Sequence, residues 1–167
     1  MAYIPPMSGY KPFYIQASAD TTASDTTVWG LVAKSNPYPV LPDAKEPYKN
    51  DWLNENGEEE YTATMHYKPI EFSVKFYVKA FATATDSAVK VLHSQIDSFF
   101  DKIKHGEFKV YDSYTGLGRQ KVRYVGYKED EFTAKGNYAR LIFDVSFKCN
   151  DPITRMKLNA SNKIVAE

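Results

Sequence analysis

Glu71-Phe72-Ser73-Val74-Lys75-Phe76-Tyr77-Val78-Lys79 decides the fold. Phe72, Val74, Phe76 and Val78 share one parity. Glu71, Ser73, Lys75, Tyr77 and Lys79 share the other, which is the period of a half-buried β-strand. The pattern predicts a strand over Ile70 to Phe81. Downstream the period changes. Val89, Leu92, Ile96, Phe99, Phe100 and Ile103 recur at three and four residues, as on a helix lying against a sheet. The helix is predicted over about residues 86–105. Thr83 or Thr85 is placed to cap it, Asp86 stands at the positive end of its dipole, and Lys102, Lys104 and His105 precede Gly106 at the negative end.

Outward from this pair the chain reads mainly as strands. Phe13 to Ala17, Thr26 to Lys34, Tyr61 to Tyr67, Glu107 to Tyr111, Lys121 to Tyr127 and Ala139 to Lys148 carry strand signals. The segments Ser18 to Asp25, Asp112 to Gly118 and Lys128 to Asn137 read as loops. Pro37, Pro39, Pro42 and Pro47 remove four backbone donors, so Asn36 to Tyr48 reads as an extended surface connection and not a central strand. It leads into a polar loop with a turn at Asn56-Gly57, four glutamates and Trp52. The prediction is one domain over 1–167, with an N-terminal arm at 1–11, a connection and acidic loop at 36–60, and a C-terminal tail at 151–167 that frays or docks elsewhere. The fold class is α+β and mainly β: a β-sandwich or partly closed barrel with one amphipathic helix packed on the sheet.

Composition narrows the function. Twenty-one basic and twenty-one acidic side chains sum to zero, which argues against nucleic acid or an anionic membrane as a partner. The N-terminus lacks a signal-peptide pattern, and no apolar run is long enough to span a bilayer, so the chain reads as soluble and cytosolic in synthesis. The single cysteine, Cys149, alternates with Leu141, Phe143, Val145 and Phe147 and reads as a small buried hydrophobe. Aromatics make up 15% of the chain, with thirteen tyrosines, more than a core needs; tyrosine is favoured where proteins meet.

Chemistry finds no home. His66, His93 and His105 have no ligand partners at metal spacing, and the Glu55 to Glu60 run lacks the spacing of a calcium loop. Gly116-Leu117-Gly118-Arg119 lacks the third glycine and the Lys-Ser/Thr of a phosphate loop and reads as a hairpin turn. No nucleophile elbow or paired carboxylates can be placed. The expectation is a non-enzyme with no catalytic residues, no metal and no cofactor. Two surfaces remain. Arg119, Lys121 and Arg123 share one strand parity as a basic stripe, while Trp52 stands beside Glu55, Glu58 and Glu59 in the acidic loop. In a homo-oligomer the stripe of one subunit would face the loop of the next. The alternative is a ligand-binding β-sandwich, with Trp29, Trp52 or tyrosines stacking on sugar rings.

One further pattern is carried by order: Lys45-Glu46-Pro47-Tyr48-Lys49-Asn50-Asp51-Trp52, Asn56-Gly57-Glu58, a strand pair, a helix ending in Phe99-Phe100-Asp101-Lys102-Ile103, then Phe108-Lys109-Val110-Tyr111, Lys121-Val122-Arg123-Tyr124-Val125-Gly126-Tyr127 and a closing strand from Arg140 to Cys149. From Gly30 to Pro152 this resembles the ring-forming domain of distal tail proteins of long-tailed bacteriophages, whose fold is related to that of tail-tube proteins. The resemblance implies a structural subunit of a phage or prophage tail, made in the bacterial host cytoplasm and residing in the virion. It implies a homo-oligomeric ring, hexameric in the family, that contacts other tail proteins. Many family members add a carbohydrate-binding domain, for which 167 residues leave no room.

Overall fold

The structure is a computed structural model that describes residues 12–35, 41–50, 59–61 and 65–167. Eleven strands, one α-helix and one 3-10 turn follow in order: β1 Phe13–Ala17, β2 Ser24–Asp25, the turn Thr26–Trp29, β3 Leu31–Ser35, β4 Tyr48–Asn50, β5 Glu59–Tyr61, β6 Ile70–Phe81, α1 Ala88–Ile103, β7 Phe108–Asp112, β8 Leu117–Lys135, β9 Tyr138–Cys149, β10 Met156–Leu158 and β11 Ile164–Ala166. Nine strands form one antiparallel sheet in the order β2-β1-β7-β8-β9-β6-β3, with β10 against β8 and β11 against β10. β2 and β3 end this path without pairing to each other, so the sheet is open and does not close into a full barrel; the mainly β class with one helix packed on the sheet is as predicted.

β6 shows why. It pairs with β9 from Ile70↔Cys149 to Phe81↔Tyr138, and its even-numbered side chains from Ile70 to Ala80 are all buried. The sheet bends so that Phe13 of β1 meets Phe76 of β6 at 6.1 Å. The helix closes the same core: Phe99 lies 5.3 Å from Phe76 and 5.7 Å from Trp29, and Leu92 and Ile103 are buried beside it. Ile96 is half-buried, whereas Phe100 turns out at 38% exposure. Ser87, two residues beyond Thr85, is the N-cap and accepts from Lys90 N, while Thr83 Oγ1 accepts from Asp86 N in the preceding turn.

Several expectations give way to tertiary structure. The strand predicted from Thr26 begins only at Leu31. Asp25 accepts from Thr27 N, and Gly30 at φ 78° ends the intervening 3-10 turn in a left-handed conformation that glycine adopts freely. The expected loop Lys128 to Asn137 is mostly strand. β8 pairs with β9 out to Lys135↔Tyr138, and the hairpin turns only at Gly136-Asn137. Of the strand predicted over Tyr61 to Tyr67, Tyr61 pairs with Tyr48 and Tyr67 bridges Ala44, while 62–64 lie outside the described residues. The tail forms the β10–β11 hairpin, whose Met156 and Ile164 make a second small core with Ala23. Gly118 lets this hairpin approach, since a Cβ there would sit 2.7 Å from Met156 O and 2.9 Å from Val110 O. The arm at 1–11 lies outside the described residues.

Candidate assembly surface

The basic stripe is shorter than the sequence predicts. Val110 pairs with Arg119 and Phe108 with Val122, so three steps on β8 oppose two on β7. The extra residue is a bulge, and Lys121 takes φ 51° within it. Alternation is thereby reset. Arg119 falls on the buried side with Val122, is 2% exposed, and donates from Nη1 to Pro152 O at 3.1 Å. Arg119 is therefore a structural cation inside the fold and leaves the surface stripe. Lys121 and Arg123 remain exposed. Arg123 lies opposite Lys148 on β9, and the Lys148 ammonium pairs at 3.6 Å with Glu71.

Of the acidic loop, Trp52, Glu55 and Glu58 lie outside the described residues. Glu59 opens β5 opposite Asn50, and its neighbour Glu60 pairs with Lys49 at 3.5 Å. β4 and β5 form a two-stranded sheet of their own, apart from the sheet that carries Lys121 and Arg123. Below it, Ala44 bridges Tyr67, Lys45 N donates to His66 O, and Lys68 N donates to Asp43 O. This arm interrupts the chain between β3 and β6, and it leaves Leu41, Tyr48, Met65 and Tyr67 exposed at 75%, 72%, 42% and 39%.

A second surface escaped the sequence reading. Between α1 and the β8–β9 hairpin runs a groove of about 310 Å³ floored by Phe143 and Val145. Phe100 stands edge-on to Tyr124 at 5.2 Å, and Tyr127 edge-on to Phe143 at 5.8 Å. The Tyr127 hydroxyl donates to Glu129. Loss of water around the phenol, the Glu129 hydrogen bond and that carboxylate's charge push Tyr127 up to about 12. Past Tyr124 the β8 bulges between Tyr124/Gly126 and Glu129/Glu131 put Tyr127 and Phe132 opposite the buried Val145 and Leu141, yet both remain nearly half exposed. The signal available in sequence was the doubled Phe99-Phe100, since a single helix face accommodates only one of them.

The remaining candidates resolve without chemistry. Asp112 accepts from Tyr114 N and Thr115 N, and Gly116 takes φ 69°, so the glycine run closes the β7–β8 turn at Gly116 and its other three residues open β8. Cys149 is fully buried, its one S–H within reach of Asp151 O at 3.0 Å and Gln120 O at 3.2 Å, and burial raises its pKa. Trp29 packs on Phe99 at the edge of the core. No three of His, Cys, Asp and Glu converge among the described residues. No described helix is long and apolar enough to cross a membrane.

No family model matches this sequence. No curated protein matches it either. Solved structures do match its fold. One is SPP1 Dit (gp 19.1), described as a paradigm of the hub adsorption apparatus in phages that infect Gram-positive bacteria, with a TM-score of 0.54 and 16% identity. The match covers 87% of this chain and 52% of that one. The fold is shared with a phage adsorption-hub protein. This chain spans about half the length of that protein.

Proposed function

We propose that the chain is a non-enzymatic structural subunit of a bacteriophage or prophage tail, a ring component of the distal-tail or tail-tube-like kind. It is made in the host cytoplasm and carried in the virion, and it assembles with copies of itself and with other tail proteins. The observation that carries this reading is the fold shared with SPP1 Dit over 87% of the chain. Lys121 and Arg123 of one subunit face the Trp52, Glu55, Glu58 and Glu59 loop of the next, which joins opposite charges across a heterologous contact that closes by rotation.

The test uses assembled particles or the purified chain at high concentration, because rings of this kind can depend on neighbouring tail proteins. Cysteines at Glu58 and Arg123 in a Cys149→Ser background should cross-link between chains, and electron microscopy should show closed rings. A chain that stays monomeric in every sample and is retained on a glycan matrix would overturn the tail reading in favour of a sugar-binding module. Stoichiometric metal in dialysed protein would overturn the purely structural role.

A further inference from the structure

Among the described residues, two apolar surfaces differ in charge. The groove between α1 and β8 presents Phe100, Tyr124 and Tyr127, with Asp97 and Glu129 among its lining residues. The described neck of the arm presents Met65 and Tyr67, both exposed, within the run Met65-His66-Tyr67-Lys68 that carries the Lys68 ammonium and no carboxylate. Strand order sets the two apart: the neck runs into β6 at Ile70, while the groove lies over β9 and β8. A patch and a complementary groove formed by different residues of one molecule define a heterologous contact, the kind that builds rings.

We infer that the α1–β8 groove receives the Met65–Lys68 neck of a second copy, with Met65 and Tyr67 against Phe100, Tyr124 and Tyr127 and with Lys68 beside Glu129. This deepens the ring proposed above and rests on it. The occupant is a second copy because this chain itself supplies both the apolar side chains and the charge that the acidic groove lacks. Aromatic anchors set in a pocket, with a charge pair at the rim, are the arrangement in which a few residues dominate association. The neck also continues into the arm whose acidic tip the same reading sets against Lys121 and Arg123, so both contacts fall along β8.

Charge exchange tests the pairing. In the full chain at concentrations where the native protein associates, Lys68→Glu and Glu129→Lys should each weaken association about tenfold by sedimentation, and the double exchange should restore it to within about threefold. Thermal melting should be unchanged in Lys68→Glu, whose side chain is exposed, and only slightly lowered in the two chains with Glu129→Lys, which lose the exposed Tyr127–Glu129 hydrogen bond. Independently, separately purified Met65→Cys and Phe100→Cys chains, when mixed, should form a disulfide between chains that neither forms alone; unaltered protein, with Cys149 buried, gives the background. Rings that persist with unchanged affinity in both single exchanges, or without the mixed disulfide, would overturn this pairing and leave the ring standing. No association of the native chain in any sample would overturn both.

Discussion

β6 and the arm that precedes it are neighbours in sequence and spend their apolar side chains in opposite ways. From Ile70 to Ala80 every second residue is buried, and the phenylalanines interlock with β9 and α1. None of the arm residues with a described side chain, at 41–49, 60 and 65–69, is buried, although Leu41, Tyr48, Met65 and Tyr67 would suit a core. The body is held by its own packing. The described part of the arm is tied by a three-rung ladder, a bridge flanked by two backbone hydrogen bonds, and an exposed ion pair, with no buried face of its own. Apolar residues in the body specify the fold; those described in the arm stay on its surface.

The comparison breaks most readily in the body. Phe99 is 2% exposed and touches Phe76 and Trp29, so Phe99→Ala should cost about 3–5 kcal/mol in denaturant melts. A loss below about 1 kcal/mol would mean the helix face is not the centre of the core.

A smaller effect is expected where the tail joins the body. Asp151 accepts from Gln120 Nε2 at 2.6 Å and from Thr154 N at 3.1 Å. Desolvation pushes its carboxyl up, but these hydrogen bonds outweigh that and hold it below the usual range. A carboxyl depressed in the folded state contributes stability that is complete above its unfolded pKa of about 4 and is lost as the pH falls through the folded value. Asp151→Asn should therefore cost about 1 kcal/mol at pH 7, and the gap from the native protein should shrink as the pH is lowered from about 5 towards 3. A gap that is constant with pH would assign the loss to shape and not to charge.

The smallest effect belongs to the arm. Leu41→Ser should change stability by less than about 0.5 kcal/mol, because a side chain already 75% exposed has little burial to lose. A larger loss would show that the arm packs on the body and would collapse the contrast.

The contrast also marks what was legible in the sequence. Strands β1 and β6 stand where the two-residue period places them, and α1 fills 88–103 of the predicted 86–105, because each buries one regular face. The distal half of β8 was hidden, since Lys128, Glu129, Asp130 and Glu131 are all exposed and the strand is sustained by its ladder to β9 and not by burial. The β10–β11 hairpin was hidden for the opposite reason: three-residue strands are too short to show a period, and their docking depends on the missing side chain of Gly118. Arg119 misled because one inserted residue cannot be seen in a parity count. The groove needed three elements in place before it existed.

Lys121 carries a last consequence. A left-handed backbone at a residue with a Cβ costs about 1 kcal/mol, and glycine or asparagine would hold the same bend for less. A screen for thermal hardiness would favour replacing it, and the hardier chain would have given up one of the two exposed cations left in the stripe. At this position backbone ease and an exposed positive charge select different side chains.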